Sequence, residues 1–256
     1  TQIKPQLRVS AALSASGGAP FTDADWYDRT PYTHQLQDWR GWLEEGLVDL
    51  GLTMTYKDED NPFDNWIAWQ KDHQYGRGVV VGTGLYMNSV PESMSQWQRV
   101  RQPSPLGEYA LGISGYSYGT PIDPDLGGTR RSFINAAVTE VFTRTASTPF
   151  VGWKDAPSLG HLVGTLTQGF PCPGVNLDGY PLTLSGPVER QMLTDGSGWF
   201  GAVDLSPGSY QLSVNVLNPN ITVQVPVEIT AGTVTERSVL LPGCAPHKAY
   251  LPLILK

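Results

Sequence analysis

Charge is scarce in this sequence of 256 residues. Asp, Glu, Lys and Arg together make up 16% of it, against ~25% in an ordinary soluble chain. Basic residues are the scarcer kind: 17 Lys and Arg stand against 24 Asp and Glu, a formal net charge of −7. Nucleic acid and anionic membrane both need a basic face, so neither is expected as a partner. Cysteine is almost missing, with only Cys172 and Cys244. They form no CxxC, and no Cys/His cluster exists, which argues against a zinc site. His34, His73, His161 and His247 show no metal-binding spacing and no Ser/Asp context. No metal is therefore expected. No apolar run approaches the ~18 residues of a membrane span. Gly82-Thr83-Gly84 is not followed by Lys-Ser/Thr, so it is strand glycine and not a phosphate loop. No organic cofactor is implied. The chain opens Thr1-Gln2-Ile3-Lys4 without an initiator Met, as expected of a processed or truncated product.

Apolar residues make up 40% of the chain, and 28 Gly with 21 Pro punctuate it. That is enough for a core and for many loops. The length suits two domains. Strand-like runs alternate with helical patterns up to residue 148. A linker is expected over 149–159, a purely β region over 160–242 and a tail over 243–256.

In the first region the apolar runs are Lys4 to Leu13, Val48 to Tyr56, Gly78 to Tyr86 and Ala110 to Tyr118. Short continuous runs of this kind suit parallel strands covered on both faces. Helices are expected between and after them. Thr33 to Glu45 places Leu36, Trp39, Trp42 and Leu43 at helical spacing, with Gly46 as a stop. Asp64 to Lys71, Ser93 to Arg101 and Arg131 to Phe142 are the others. Alternation of this kind implies four βα units, either half of an eight-fold barrel or a closed four-stranded parallel sheet.

The β region holds short runs separated by turn signals at Leu177-Asp178-Gly179, Thr194-Asp195-Gly196-Ser197-Gly198 and Ser206-Pro207-Gly208. Gln211, Ser213 and Asn215 alternate with Leu212, Val214 and Val216, as on a sheet with one wet face. This is the pattern of an immunoglobulin-sized β-sandwich. Cys172 and Cys244 are either bridged or two unpaired thiols; spacing decides neither.

Side chains at the carboxyl ends of parallel strands face a functional mouth. Tyr56, Lys57, Asp58, Glu59 and Asp60 end the second strand. Asp58 and Glu59 are the candidate catalytic carboxylates, because glycoside hydrolysis needs one carboxyl as acid and one as nucleophile or base; a solvated acidic loop is the competing reading. Tyr86 with Asn88, and Tyr116 with Tyr118, end the third and fourth strands. Aromatic faces stack on sugars and amides bond their hydroxyls. Tyr56, Tyr86, Asn88, Tyr116 and Tyr118, with Trp26 and Trp66, are therefore the candidate sugar-binding set.

Residues 4 to 142 resemble the end of the barrel of the family 10 glycosylhydrolase-like proteins. The resemblance rests on Trp39-Arg40-Gly41-Trp42-Leu43-Glu44-Glu45-Gly46-Leu47-Val48-Asp49, on Leu52 to Lys57, and on Gly84 to Asn88 and Gly115 to Tyr118. It implies an α/β fold with four βα units forming the C-terminal half of a (β/α)8-type barrel. The second region resembles carboxypeptidase-regulatory-like, prealbumin-like β-sandwiches through Gly164-Thr165-Leu166, Thr194 to Phe200 and Leu205 to Tyr210. The tail Ala249 to Lys256 resembles those of some bacterial exported proteins. Together these imply a secreted or cell-surface bacterial protein that binds or hydrolyses a polysaccharide or oligosaccharide. Its acid–base mechanism would be completed by an upstream barrel half. The alternative is a non-catalytic extracellular structural protein that assembles with further copies of itself through strand edges and the tail.

Overall fold

A computed structural model describes residues 7–58, 63–169, 176–217 and 220–242. The chain divides into two compact units, Thr1–Asp155 and Ala156–Lys256. Glu59, Cys172, Cys244 and the tail from residue 243 lie outside the described residues.

The first unit runs β1 (Ser10–Ser14), α1 (Asp23–Trp26), α2 (Thr30–Thr33), α3 (Trp39–Glu44), β2 (Leu50–Thr55), α4 (Phe63–Asp72), β3 (Gly78–Gly84), α5 (Val90–Val100), β4 (Gly112–Tyr116), α6 (Arg130–Ala136) and α7 (Gly152–Asp155). The four strands form a parallel sheet in the order β1-β2-β3-β4. Helix starts are written in the sequence. Ser89 accepts from the Glu92 amide while Glu92 accepts from the Ser89 amide, a capping box that sets the start of α5. Thr22 with Asp25 does the same for α1.

The helix expected over Thr33 to Glu45 is reduced to α3, Trp39–Glu44, while α2 ends at Thr33. Leu36 adopts φ 54° and is exposed. Asp38 then caps α3, its carboxylate accepting from the Gly41 amide at 3.2 Å. A cap and a left-handed residue override the apolar spacing there. Likewise Arg131 to Phe142 is not one α-helix: α6 passes into a single π-helical stretch at Ala137–Val141.

In-register residues of parallel strands share a face. Leu13, Thr53, Val81 and Ile113 form one such row. The helices pack on this side: Thr53 donates to Gln70 of α4, and Trp97 of α5 donates to Thr83. Trp26, Trp39, Phe63, Trp66, Leu13 and Leu43 fill the core beneath it, with the Trp26 and Trp39 rings edge-on at 4.7 Å. The opposite row is Ala12, Leu52, Val80 and Gly112. It leads through Met54, Gly82 and Ser114 to Tyr56 and Tyr116 at the carboxyl end.

The expected α/β plus all-β class, with the C-terminal half of a (β/α)8-type barrel, is corrected. The protein is mostly β-sheet, and helices account for 26% of it. Among the described residues β1 and β4 are the edges of a sheet of four strands, and the sheet does not close. The connection from β1 to β2 carries helical pieces of only four to six residues. Alternating runs specify parallel pairing; closure depends on tilt and stagger between strands, which no local pattern encodes.

The second unit is a two-sheet sandwich: β5 (Gly160–Gln168), β6 (Pro181–Ser185), β7 (Arg190–Leu193), β8 (Trp199–Leu205), β9 (Gly208–Leu217), β10 (Asn220–Ile229) and β11 (Val234–Leu241). The sheets are ordered β10-β9-β6-β7 and β11-β5-β8. β11 pairs with β5 in parallel; the other pairs are antiparallel. Leu162, Leu166, Leu182, Leu184, Phe200 and Leu212 are fully enclosed between the sheets. The Asp195 carboxylate holds the turn into β8, accepting from the Ser197 and Trp199 amides at 2.8 and 3.0 Å. The Tyr210 hydroxyl donates to the Ser206 carbonyl at 2.8 Å.

Candidate functional site

The carboxyl ends of β2, β3 and β4 bring three tyrosines together. The Tyr56 and Tyr116 rings are stacked at 5.2 Å and 16°. Tyr86 stands edge-on to both, at 6.2 and 6.1 Å. Tyr86 and Tyr116 are 40% and 55% exposed, and Tyr56 is half-buried. Burial, then the neighbouring Tyr116 and Tyr86, raises the Tyr56 phenol above its usual range. It therefore stays neutral and can both donate and accept.

Glycine makes this arrangement possible. A Cβ on Gly84 would sit 3.0 Å from the Tyr56 Cβ and 2.9 Å from the Met87 sulfur. A Cβ on Gly82 would sit 2.3 Å from the Thr53 carbonyl oxygen. The strand beside Tyr56 has no room for a side chain at either position.

Asn88 is buried and acts on backbone. Its Nδ2 donates to the Lys57 carbonyl at 3.1 Å and the Gly84 carbonyl at 2.9 Å. Gln96 Nε2 also donates to the Lys57 carbonyl, at 2.8 Å. The two amides tie the end of β2 to the end of β3 and so fix Tyr56 beside Tyr86. Lys57 points elsewhere: its Nζ donates to the Gly17 carbonyl, and burial lowers its pKa.

Trp26, Trp66 and Tyr118 have other partners. Trp26 and Trp66 are completely buried, their indole N–H groups donating to Asp38 and to the Gly17 carbonyl. Tyr118 is 76% exposed, and its ring contacts the Arg130 guanidinium at 4.9 Å. Asp58 is half-buried, with its charge felt by Lys57 and Glu92. The Glu92 carboxyl is held low by its hydrogen bonds with Ser89. Glu59 lies outside the described residues. Among the described residues no group of His, Cys, Asp and Glu is arranged to hold a metal. No helix among them is long and apolar enough to cross a membrane.

One polar network escaped the sequence reading. Asp23 bonds Arg40 at 2.7 Å and His73 Nε2 at 3.0 Å, while His73 Nδ1 meets the Trp69 carbonyl at 2.8 Å. Tyr75 beside it is pushed up to about 12, chiefly by burial. Its members come from three separate stretches, around residues 23, 40 and 69–75, so no spacing announces it. Gln96 had a signal: it follows the capping residue Ser89 by two turns of helix.

No protein-family model matches the chain, including any for the glycosylhydrolase-like barrel, and no curated protein matches it. Solved structures do. A minor pilin of Streptococcus agalactiae is similar at 15% identity, over 36% of this chain and 48% of that one, with a TM-score of 0.28. A DUF3823 family protein of Parabacteroides merdae is similar at 24% identity, over 34% and 46%, with a TM-score of 0.24. A Pseudomonas aeruginosa protein described as a candidate carbohydrate-binding protein is similar at 15% identity, over 34% and 90%, with a TM-score of 0.26. The chain spans about half the length of the first two. At these scores the likeness decides neither fold nor function.

Proposed function

We propose that this chain binds a polysaccharide or oligosaccharide outside the cell, with a sugar ring lying against Tyr56, Tyr86 and Tyr116. The observation that carries this reading is the trio itself: three aromatic rings in mutual contact, two of them well exposed, at the carboxyl end of a parallel sheet. Exposed aromatic rings present an apolar face and a polar tip. That pairing suits a sugar, whose C–H face is apolar and whose edge is hydroxyl. Asn88 and Gln96 are positioning residues, because their amides are spent on the Lys57 and Gly84 carbonyls.

Electrophoresis of the chain through native gels containing xylan, β-glucan, α-glucan or soluble peptidoglycan tests the reading. Retardation by at least one of them is expected. Migration equal to that of an inert protein in all of them would overturn it.

A further inference from the structure

We propose that the cavity beside β4 binds a small aromatic carboxylic acid, a ligand chemically distinct from the glycan and held by different side chains. The cavity has a volume of about 160 Å³. It lies between Leu85, Trp97 of α5, Phe133 and Ile134 of α6, and Tyr118 beyond β4. Gly115 forms part of its wall; a Cβ there would meet Leu85 Cδ1 at 2.7 Å and Trp97 Cζ2 at 3.1 Å.

Size and polarity select the ligand. A sealed apolar cavity of roughly 150 Å³ accepts benzene, and this partly open one has room for a single six-membered ring. The wall offers that ring little but carbon. Trp97 has its one polar atom committed to Thr83 Oγ1 at 2.8 Å, and its ring meets Phe133 edge-on at 5.3 Å. A sugar placed here would leave its hydroxyls unpaired, at a cost that excludes it. An aryl ring has no such groups and gains edge and face contacts with Trp97 and Phe133.

The lining supplies one charge, Arg130. The Arg130 guanidinium lies over the Tyr118 ring and donates one hydrogen bond, from an Nη to the Gly119 carbonyl at 3.2 Å. Among the described residues no carboxylate forms an ion pair with it. Its planar fork matches a carboxylate. An apolar ring-sized cavity with an arginine in its lining is the complement of an arylacetic or arylcarboxylic acid.

Phenylacetate and its neutral counterpart 2-phenylethanol, titrated separately into the ¹⁵N-labelled full chain, test this through the Gly115 and Phe133 amide signals. Both are expected to shift those signals, with phenylacetate binding about fivefold more tightly, the upper end of what an exposed ion pair supplies. Arg130→Gln is expected to remove that advantage and leave phenylethanol binding within twofold of the parent. Ile134→Trp, which adds bulk to the lining from an exposed position, is expected to abolish both. Unmoved Gly115 and Phe133 signals at ~10 mM ligand, far above the millimolar affinity of a weak site, would overturn the proposal. So would an Arg130→Gln chain that keeps the full preference for phenylacetate.

Discussion

The rings of Tyr56 and Tyr116 lie 5.2 Å apart and within 16° of parallel, although 59 residues separate them in sequence. β3 lies between their strands in the sheet, and Gly82 and Gly84 on that strand leave the space in which the two rings meet. Much of what the site does follows from that gap.

Filling the gap is therefore costly. Gly82→Ala places a methyl group against the Thr53 carbonyl oxygen, and overpacking of this kind costs roughly 1–3 kcal/mol. Gly196→Ala, where nothing lies within 4 Å of the added carbon, should change little. Urea unfolding of both variants checks the contrast. Equal midpoints would mean that the Gly82 site relaxes freely.

Asn88 should matter for stability and for the shape of the rim. Asn88→Ala removes the donor to the Gly84 carbonyl and one of two donors to the Lys57 carbonyl. Leaving a buried acceptor unpaired costs about 1–3 kcal/mol. Thermal unfolding should show that loss, and the Tyr86 ring signals in NMR should move. A variant with parental stability and unmoved Tyr86 signals would contradict the tying role.

Asp23 carries a pH dependence of known sign. The hydrogen bond with His73 leads the causes that lower its pKa below the ordinary carboxylate value. A carboxyl lowered on folding contributes stability above its unfolded pKa of ~4 and loses it as the pH falls through the folded value. The Asp23 side chain is 64% exposed, so the contribution is at most about 1 kcal/mol. Melting temperatures measured from pH 7 to pH 2.5 should fall less steeply for Asp23→Asn than for the parent. Parallel curves would contradict the assignment.

The second unit should fold by itself. Its core residues come from β5 to β11 alone. A fragment spanning residues 156–242 is expected to give well-dispersed amide NMR signals; a collapsed spectrum would contradict this.

The strands are visible in the sequence, but whether their sheet closes is not. Val79-Val80-Val81 in β3 and the alternating Gln211 to Val214 in β9 announce themselves because apolar spacing follows the pleat. Whether a parallel sheet closes is set by inter-strand geometry, and the expected barrel half is instead an open four-stranded sheet. β7, four residues long with Arg190 and Gln191 exposed, carries too little apolar pattern to be read. At the site, strand-end position singled out Tyr56, Tyr86 and Tyr116, since strand ends follow from the same runs. Trp26 and Trp66 were placed in the sugar-binding set by residue type, yet the structure buries both. Large aromatics serve a core as readily as a rim, and only burial separates the two.

Sugar binding by the tyrosine trio is tested by isothermal titration of the parent, Tyr56→Ala and Tyr116→Ala chains with the oligosaccharide unit of whichever polysaccharide retards the parent. Loss of one aromatic face costs roughly 1 kcal/mol, so each variant should bind about fivefold more weakly. Trp199→Ala, which removes an exposed aromatic from β8 of the sandwich, should bind as the parent does. Parental affinity in both tyrosine variants, each folded by circular dichroism, would contradict the claim.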